Sequence, residues 1–498
     1  MPDRTTRLTT ALQQSIDTLL PLIDEGAQGK LAVTEAVARW IGHENDSAFL
    51  CDHYGRGRGL LAAATDALTD AALAEAVTAL PERLDARFRP AVLEADIARI
   101  ASLLAQARDL VQQPGNGLSA DWITDVFEWE RSYYLHLSAP IPIARTEDGH
   151  LDAATFQTYL RRAVDGAEHI SVVEAQPLSG GYGRATILLR TDAPLFGETE
   201  LIVRAEMPVS ILTLEGIDIT TEFAIIKMAH DHGIAAPEPL LLEAGSNETG
   251  LRFILLRRVT GSSYGTAFSS TRAISDTLIG NLVAGLAAIH AIPLTEHPDV
   301  TARTHLRLWN GDRSTQAAVR RWVLMWRDYW QASGIASPVL ADAFHWLLAN
   351  IPASSEPPVL LHSDYALGNL LIEDDIITGV LDWEATHVGD PAEEVAWLAF
   401  NLRNDVGEAE VVRRYSTITG KQIPAERLRY FDVLTAVKMV ACGFNAMAKF
   451  RSDPGTAPIF CLLASYTIEP YLKLIPDAIA TADGARGRAD AAPITRGG

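Results

Sequence analysis

In this 498-residue chain, strand-like runs are confined to residues 169–206 and 240–260 and to two short pieces around the acidic turn Glu373 to Asp375, and this distribution is the strongest constraint on the fold. Residues 169–206 and 240–260 carry β-branched and apolar runs separated by Gly, Pro, Asn and Asp, a pattern that predicts short strands of an antiparallel sheet. Between them, the segment ITTEFAIIKMAHDHG has the pattern of a helix that ends at Gly233. Helical spacing of apolar residues dominates before residue 135 and after about residue 271. The sequence therefore predicts an α+β chain with one small sheet among many helices.

These changes of pattern predict five segments. The predicted segments are a helical accessory domain at 1–137, a linker at 138–150, a sheet-containing lobe at 151–260, a helical lobe at 261–480 and a flexible tail at 481–498. The linker contains two prolines and a glycine and lacks periodicity, and the tail is small and polar. Nothing in the first segment indicates an active site, so chemistry is expected in the two lobes.

Acidic residues outnumber basic ones, 63 to 42, which gives a formal net charge of −21. This sign is wrong for a surface that must neutralise nucleic-acid phosphates, so no nucleic-acid partner is expected. The charge is concentrated: residues 356–410 contain thirteen Asp and Glu and a single Arg, or −12 of the total. Such a cluster favours cations, either a metal ion or a cationic substrate.

The cysteine count and the N-terminus bear on the compartment. Three cysteines in 498 residues cannot form a disulfide framework, so we expect reduced thiols in a reducing compartment. The apolar run near the N-terminus is interrupted by Gln13, Gln14, Asp17 and Asp24, and no stretch approaches about 18 uninterrupted apolar residues. The expectation is a cytoplasmic protein without a membrane partner, and the oligomeric state stays open.

The most informative segment is LHSDYALGNLLIEDDIITGVLDWEATHVGD, residues 361–390. His362 and Asp364 follow a short apolar run, Asn369 comes five residues after Asp364, and Asp382 ends a later strand-like run. Phosphoryl transfer needs an Asp that accepts the proton of the attacking hydroxyl, and an Asn and a second Asp whose oxygens hold Mg²⁺. Any one of these residues alone would be a solvated turn residue, but their joint spacing predicts phosphoryl transfer.

This segment resembles the catalytic segment of the kinase-like phosphotransferase superfamily, the aminoglycoside phosphotransferase and choline kinase relatives of protein kinases. The run DWEATHVGDP followed by EEVAWL is more specifically similar to the phosphotransferase domain fused to some acyl-CoA dehydrogenases and to its free-standing bacterial relatives. The resemblance covers about residues 165–470. It implies a bilobal protein-kinase-like fold, with a small antiparallel-sheet lobe and a larger helical lobe, that uses Mg²⁺ and takes ATP or GTP as the phosphoryl donor.

The resemblance also implies roles for individual residues. Asp364 would be the base, His362 would orient the catalytic loop, and Asn369 and Asp382 would bind Mg²⁺. Asp390 would brace the loop through backbone N–H groups. Two positions depart from the usual pattern: Ser363 stands where the family usually has Gly, and Glu394 stands where it usually has Asp.

The upstream lobe offers a nucleotide site of the same kind. Gly180, Gly181 and Gly183 form a glycine-rich turn that leads into a strand, whereas a dinucleotide-binding loop would lead into a helix. An ordinary hairpin turn is the alternative reading of such a cluster. Arg204 in the run LIVRAEM would hold the nucleotide phosphates, and Glu222 on the following helix would orient it.

The run RFILLRRVTGSS resembles the hinge of the family, whose backbone would bind the adenine edge. Leu255, Leu256 and Val259 would add apolar contacts to the base, and Arg257 replaces the usual acidic residue. Farther on, His290 near a helix end is expected to be a structural hydrogen-bonding residue. Trp residues at 322, 326 and 330 share one helix face, and either pack in the core or form the wall of an acceptor pocket.

The acceptor is the least determined part of the functional hypothesis, which is transfer of the γ-phosphoryl group to a hydroxyl of a small molecule. Similarity to the dehydrogenase-fused domains suggests a hydroxyacyl thioester or another catabolic hydroxy compound. The aminoglycoside and choline branches suggest a cationic acceptor instead. A third alternative is a catalytically silent nucleotide-binding scaffold, against which the intact set Asp364, Asn369 and Asp382 argues.

Overall fold

A computed structural model gives the structure of the chain. The residues it describes are 47–68, 70–80, 90–111, 119–135, 153–178, 183–207, 210–212, 218–245, 249–265, 270–301, 313–452 and 459–491. Within these ranges the helices are α1 (Ser47–Ala67), α2 (Ala71–Thr78), α3 (Pro90–Val111), α4 (Ala120–Leu135), α5 (Ala153–Ala163), α6 (Ile219–Asp231), α7 (Asp276–His290), α8 (Pro298–Thr301), α9 (Thr315–Ala332), α10 (Pro338–Ala349), α11 (Pro391–Asn401), α12 (Glu408–Thr419), α13 (Ala425–Ser452), α14 (Ile459–Leu472) and α15 (Leu474–Ala491). The strands are β1 (Val172–Leu178), β2 (Arg184–Leu195), β3 (Glu198–Glu206), β4 (Pro239–Glu243), β5 (Phe253–Arg257), β6 (Val359–Leu361), β7 (Leu370–Glu373), β8 (Ile376–Val380) and β9 (His387–Gly389).

These elements form two compact units. One unit comprises the described residues of Met1–Thr146, Val323–Asn350 and Val433–Gly487, and the other comprises those of Glu147–Trp322, Ile351–Asp432 and Arg488–Gly498. We call them the helical unit and the sheet-containing unit. The predicted helical lobe at 261–480 is therefore divided, because its residues 323–350 and 433–480 cluster with the N-terminal helices.

The sheet-containing unit is built on a five-stranded antiparallel sheet of order β1-β2-β3-β5-β4. Alternate residues of its strands are buried in a core under α5, where Tyr159 packs edge-on against Phe253 at 5.1 Å between ring centroids. Because side chains alternate along a strand, the residues between these point to the other face. That second face carries Arg204, and Ile202 and Leu256, which pair in register, lie beside it. We call it the Arg204 face.

Helix α6 begins and ends where the sequence predicts. The Asp218 side chain caps its N-terminus by accepting from Thr221 N–H at 2.8 Å. Gly233 follows the helix with φ +76°, a left-handed conformation that favours glycine. Glu222 lies in the first turn of α6 and its side chain is buried.

Two short antiparallel strand pairs carry the predicted catalytic segment of this unit. Strand β6 pairs with β9, and β7 pairs with β8. Ser262, beyond β5, joins this region to the sheet, because it exchanges two backbone hydrogen bonds with Ile372 of β7, at 3.1 and 3.0 Å. The predicted strand–turn–strand arrangement is thus present.

The helical unit packs α10 against α3 and α4. Buried Glu130 of α4 caps the N-terminus of α10: it accepts from Val339 N–H at 2.9 Å and from the Ser337 hydroxyl. Arg108 of α3 forms an ion pair with Asp342 of α10. Helices from the N-terminal and the later part of the chain therefore share one core.

Glu130 makes the stability of the helical unit depend on pH. Burial raises the pKa of Glu130 from its ordinary 4.5 to about 7, although the two hydrogen bonds oppose the shift. The folded state then binds this proton more tightly than the unfolded state, so stability falls as pH rises from about 4.5 to about 7, by up to about 3 kcal/mol. We expect Glu130→Gln to remove this contribution, measured as a smaller difference in urea-unfolding free energy between pH 5 and pH 8. Exposed Glu128→Gln is the matched control, and an unchanged pH dependence in Glu130→Gln would contradict the assignment.

Two predicted segments, the linker and the tail, lie at the edges of the described residues. The linker 138–150 lies outside the described residues. The predicted tail is wrong over 481–491, because α15 continues to Ala491 and buries Ala482 and Ala485. Alanine has the highest helix propensity, and it outweighs the glycines that suggested disorder. Among the described helices, α13 alone is long and apolar enough to cross a membrane, but 67% of its most apolar stretch is buried inside the protein.

Candidate active site

The loop after β6 is held by buried groups around His362. Burial lowers the pKa of His362, which keeps its imidazole neutral. Its Nε2 donates to Leu381 O at 2.9 Å, and its Nδ1 accepts from Asp364 N–H at 3.3 Å. The ring also packs edge-on against Trp383, 4.6 Å between centroids. His362 therefore contacts the loop through both ring nitrogens, and its role in orienting the loop stays a prediction.

Asp364 and Asn369 lie together. Asn369 Nδ2 donates to Asp364 Oδ2 at 2.7 Å and to Asp364 O at 3.0 Å. Asn369 lies in a single 3₁₀ turn, and its carbonyl accepts from Leu381 N–H at 2.8 Å. The x₄ spacing therefore forms a closed loop in which the amide of Asn369 fixes the carboxylate of Asp364.

Asp382 lies at the end of the segment after β8, in a left-handed conformation with φ 65°. Asp is among the few residues with a side chain that adopt this conformation readily. Its Oδ1 accepts from Arg204 Nη2 at 2.6 Å, and its side chain is 30% exposed. The predicted metal ligand and the predicted phosphate-binding residue, 178 positions apart in sequence, are in direct contact.

Arg204 Nε donates a hydrogen bond to Glu222 Oε1, the contact that the predicted orienting role of Glu222 requires. That role stays a prediction. Burial alone would lower the pKa of Arg204, but Glu222, Asp382 and nearby Glu384 outweigh it and raise the pKa, so the guanidinium stays charged. Glu222 also accepts from a second arginine, Arg184, whose Nε lies 3.0 Å from Glu222 Oε2. Sequence reasoning did not identify Arg184.

Gly183, the last glycine of the predicted phosphate-binding turn, lies against Glu384. A Cβ at Gly183 would overlap the Glu384 carboxylate, so any larger residue there would require the Glu384 side chain to shift. Burial, with a further contribution from Asp382, raises the pKa of Glu384 above its usual range. Gly180 and Gly181 lie outside the described residues. Sequence reasoning missed Glu384 as well, although its position two residues after Asp382 was an available signal.

The brace of the catalytic loop is Glu394, and the expectation for Asp390 is wrong. Asp390 instead caps α11 by accepting from Ala392 N–H at 2.9 Å, and pairs with Arg427, whose Nε lies 3.1 Å from Oδ2. Glu394, one helical turn further along α11, accepts from the backbone N–H of His362 at 3.0 Å and of Ser363 at 2.6 Å. The shorter Asp390 side chain is bound to the first turn of α11 and does not reach the loop. Glu394, four residues later on the same helix face, reaches it instead.

This brace also accounts for both departures from the family pattern. Ser363 has φ +73°, in the region that favours glycine, and the bond from its N–H to Glu394 helps to hold it there. His290 Nε2 donates to Glu394 Oε2 at 2.9 Å, and His290 Nδ1 contacts the Tyr415 hydroxyl at 2.8 Å. Burial would raise the pKa of Glu394, but the bond from His290 and the nearby donors outweigh it and lower the pKa. His290 is thus the structural hydrogen-bonding residue that its helix-end position predicts.

The predicted hinge residues divide between the two faces of the sheet. Leu256 is buried and pairs with Ile202, on the Arg204 face. The expected contact of Leu255 with the base is wrong, because Leu255 pairs with Val203 and is buried in the core on the other face. Val259 lies beside β8, where a Cβ on Gly379 would come within 3.2 Å of Val259 Cγ1. Arg257 pairs with Leu201 on the other face, and its guanidinium binds Glu238 at 2.7 Å and Glu198 at 2.6 Å. The Arg257 side chain is therefore directed away from the cluster around Arg204.

The three tryptophans of α9 are buried, with exposed fractions of 7% or less, which supports core packing over the wall of an acceptor pocket. Trp322 stacks on His387, 3.7 Å between ring centroids. The described residues contain no group of three or more His, Cys, Asp or Glu arranged to hold a metal ion. The mixed pair Asn369 and Asp382 falls outside that pattern, since one of its members is an amide.

A family model described as "Phosphotransferase enzyme family" matches residues 174–426, half of the chain and all of the site described above. The chain belongs to this family. Its structure is accordingly that of a kinase-like phosphotransferase, an antiparallel-sheet lobe and a helical lobe, with an N-terminal helical region in addition. The matched residues include α10, which belongs to the helical unit.

Relatives of this phosphotransferase are found among proteins that carry such a domain within a longer chain. It is 25% identical over 256 residues to rat acyl-CoA dehydrogenase family member 11, and the aligned region covers 50% of this chain and 31% of that protein. It is 27% identical over 283 residues to mouse acyl-CoA dehydrogenase family member 10, and the aligned region covers 54% of this chain and 24% of that protein. The chain thus spans a third or less of the length of these relatives.

A crystal structure of a Ralstonia eutropha protein assigned as an aminoglycoside phosphotransferase is similar in fold. It superimposes with a TM-score of 0.51 at 16% identity, covering 67% of this chain and 99% of that one. At this identity the likeness concerns the fold alone. The predicted fold class is confirmed, and the predicted family with it.

Proposed function

We propose that this phosphotransferase transfers the γ-phosphoryl group of ATP or GTP to a hydroxyl of a small molecule, with Mg²⁺ bound to the nucleotide. One observation carries the proposal: the hydrogen bond from Arg204 Nη2 to Asp382 Oδ1, at 2.6 Å, brings the phosphate-binding strand to the catalytic segment. Asp364 and Asn369 lie in the same segment, joined at 2.7 Å. Base, metal ligands and phosphate-binding residue are thereby held by one set of contacts.

Asp364 is the base in this proposal. The hydrogen bond from Asn369 Nδ2 fixes one carboxylate oxygen, Oδ2, and His362 fixes the backbone N–H. A carboxylate held in this way accepts the acceptor's hydroxyl proton as the oxygen attacks phosphorus, without first having to reorient. His362 and Glu394 are positioning residues, because they act through the loop.

The nucleotide lies in this proposal on the Arg204 face. Leu188, Ile202 and Leu256 occupy paired positions on neighbouring strands there and offer apolar contacts for a base. Arg204, two residues beyond Ile202 on β3, offers a charge for the phosphates. An apolar stretch followed by a fixed cation suits a nucleoside polyphosphate.

The donor atoms at the site fit Mg²⁺. Asn369 and Asp382 supply amide and carboxylate oxygens, which are hard ligands. Because both Asn369 bonds to Asp364 use Nδ2, Oδ1 would be the ligand atom. When bound, the ion offsets the charge that develops on the transferred phosphoryl group.

Asp382→Asn tests this assignment. An amide keeps the shape of the side chain but lacks the charge that attracts a dication, so we expect the Mg²⁺ concentration for half-maximal activity to rise by on the order of tenfold. Mg²⁺ should also strengthen ADP binding less in Asp382→Asn than in wild type, measured by calorimetry. Exposed Asp374→Asn is the matched control, and an unaltered Mg²⁺ response in Asp382→Asn would remove it as a ligand.

The acidic cluster at 356–410 does not favour a cationic acceptor over a neutral or anionic one. Several of its carboxylates are used internally: Asp382 binds Arg204, Asp390 binds Arg427, and Glu394 binds the catalytic loop. We therefore propose an acceptor that carries a hydroxyl group and leave its net charge unspecified. A hydroxyacyl thioester is the candidate that the dehydrogenase-fused relatives suggest.

The test of the function is a screen for ADP or GDP release across hydroxy compounds, including hydroxyacyl thioesters, aminoglycosides and choline. Wild-type enzyme is run beside Asp364→Asn, so that contaminating ATPase activity appears in both. Release that needs both an acceptor and Asp364 supports the proposal. Tight ATP binding without turnover of any compound would favour the silent scaffold instead.

We also propose a cytoplasmic location. Cys51, Cys442 and Cys461 form no disulfide with one another, and Cys461 is buried in the helical unit. Cysteines that are not joined in disulfides are typical of reducing compartments.

A further inference from the structure

A second arginine lies beside Arg204 on the same face of the sheet. Arg184 begins β2 directly after Gly183, and only 5% of its surface is exposed. In the β2–β3 register Arg184 pairs with Glu206 and Thr186 pairs with Arg204. Paired residues of an antiparallel sheet point to the same side, so the two arginines are diagonal neighbours on the Arg204 face.

Both arginines are held by one carboxylate. Glu222 accepts from Arg184 Nε at 3.0 Å through Oε2 and from Arg204 Nε through Oε1. Since each guanidinium is bound through Nε, its terminal nitrogens are left to other partners. Arg204 Nη2 donates to Asp382.

Among the described residues, the two terminal nitrogens of Arg184 make one long hydrogen bond between them. Nη1 makes a long bond of 3.4 Å to Gly183 O. Nη2 is buried, and no acceptor within hydrogen-bond distance of it occurs among residues 47–491 as far as they are described. Glu384 Oε2 lies 3.7 Å from Arg184 Nε, an ion-pair distance beyond hydrogen-bond length, and this buried oxygen has no hydrogen-bond partner in the part of the chain that the structure describes.

A buried guanidinium N–H without an acceptor is unfavourable, because folding removes its water without replacing the bond. At a binding site a ligand atom can supply the missing acceptor. Phosphate oxygens match the planar fork of arginine donors well. Arg184 also directly follows Gly183 of the glycine turn. It shares the Glu222 carboxylate with Arg204, and Arg204 in turn binds Asp382.

We propose that Arg184 is a second phosphate-binding residue, whose Nη2 donates to a non-bridging oxygen of the nucleotide's polyphosphate chain. Glu222 then sets the spacing of a two-arginine cradle rather than orienting Arg204 alone. This inference rests on the proposed function and deepens it, since it assigns Arg184 to the phosphates and not to the base.

Calorimetry on the full chain tests this, with Mg·ADP and Mg·GDP as probes and adenosine and guanosine as their phosphate-free counterparts. Arg184→Gln retains a donor but loses the charge and the forked nitrogens. We expect its Kd for the nucleoside diphosphate to rise about tenfold or more, and its Kd for the nucleoside to stay within about twofold. Arg190→Gln is the matched control on β2: Arg190 pairs with Glu174 and Glu200, and both affinities should be unchanged.

A purely structural role predicts another pattern. If Arg184 only links Glu222 and the glycine turn, Arg184→Gln weakens diphosphate and nucleoside equally, or neither, and either result overturns the inference. Arg184→Lys keeps the charge and should bind the diphosphate more tightly than Arg184→Gln does. If Arg184→Gln does not fold, Arg184→Lys is compared with wild type instead. The expected result is again a weaker affinity for the nucleoside diphosphate with an unchanged affinity for the nucleoside. Wild-type protein that binds no nucleotide would instead overturn the proposed function.

Discussion

Asp364→Asn is expected to lower kcat for phosphoryl transfer by about 10²- to 10⁴-fold, the usual contribution of a positioned general base. The substitution is nearly isosteric, and Asn369 Nδ2 can still donate to the remaining carbonyl oxygen of the new side chain. The loop should therefore keep its shape, while the group that takes the hydroxyl proton is lost. Steady-state rates of ADP release with a saturating acceptor measure the effect.

Nucleotide affinity separates this role from a structural one. ADP should bind Asp364→Asn within about twofold of wild type, because Asp364 does not hold the nucleotide in the proposed mechanism. Asp374→Asn is the matched control: it is exposed, and its φ of +49° suits asparagine. Full kcat in Asp364→Asn, with all activity dependent on the acceptor, would sink the assignment of the base.

Glu394→Ala is expected to destabilise the protein by about 3–5 kcal/mol, the range found when one partner of a buried charged pair is removed. Three donors lose their acceptor at once: the N–H groups of His362 and Ser363, and His290 Nε2. Each is then buried without a hydrogen bond, and Ser363 also loses the contact that holds it at positive φ. Urea unfolding followed by tryptophan fluorescence measures the change.

Substitution of Glu394 should also lower catalytic activity, because Glu394 holds the loop that carries Asp364. Glu394→Gln keeps an acceptor for one or two of the three donors, so we expect intermediate stability, together with a fall in kcat that exceeds any change in the nucleotide Kd. Glu408→Ala, on the exposed side of α12, is the control and should change stability by less than about 0.5 kcal/mol. Equal stabilities of Glu394→Ala and Glu408→Ala would show that Glu394 does not brace the loop.

Local patterns predicted the sheet, helix α6 and the catalytic segment, because each depends on residues close together in sequence. Apolar alternation defines β2 and β3, Asp218 and Gly233 delimit α6, and the x₄ spacing brings Asp364 and Asn369 into contact. The family resemblance added the pairing of Arg204 with Glu222, which the structure contains. None of these needed knowledge of distant contacts.

Distant contacts are what the sequence could not supply. Glu394 reaches back 32 residues to His362, and His290 reaches Glu394 across 104, so nothing local distinguishes this brace from the role expected of Asp390. Arg184 looked like an ordinary strand residue until its register with β3 placed it beside Arg204. The predicted tail failed for a related reason, since the burial of Ala482 depends on packing partners that local composition does not specify.

The cap that Glu130 provides to α10 crosses the boundary of the family match. Helix α10 lies inside the family-matched residues 174–426, yet the groups that complete its N-terminus come from α4, more than 200 positions earlier. Removing the N-terminal helices would leave Ser337 and Asp342 without their buried partners. A segment cut at the boundaries of the family match would therefore contain α10 without the cap from Glu130, so the N-terminal helices supply part of the fold of the matched segment.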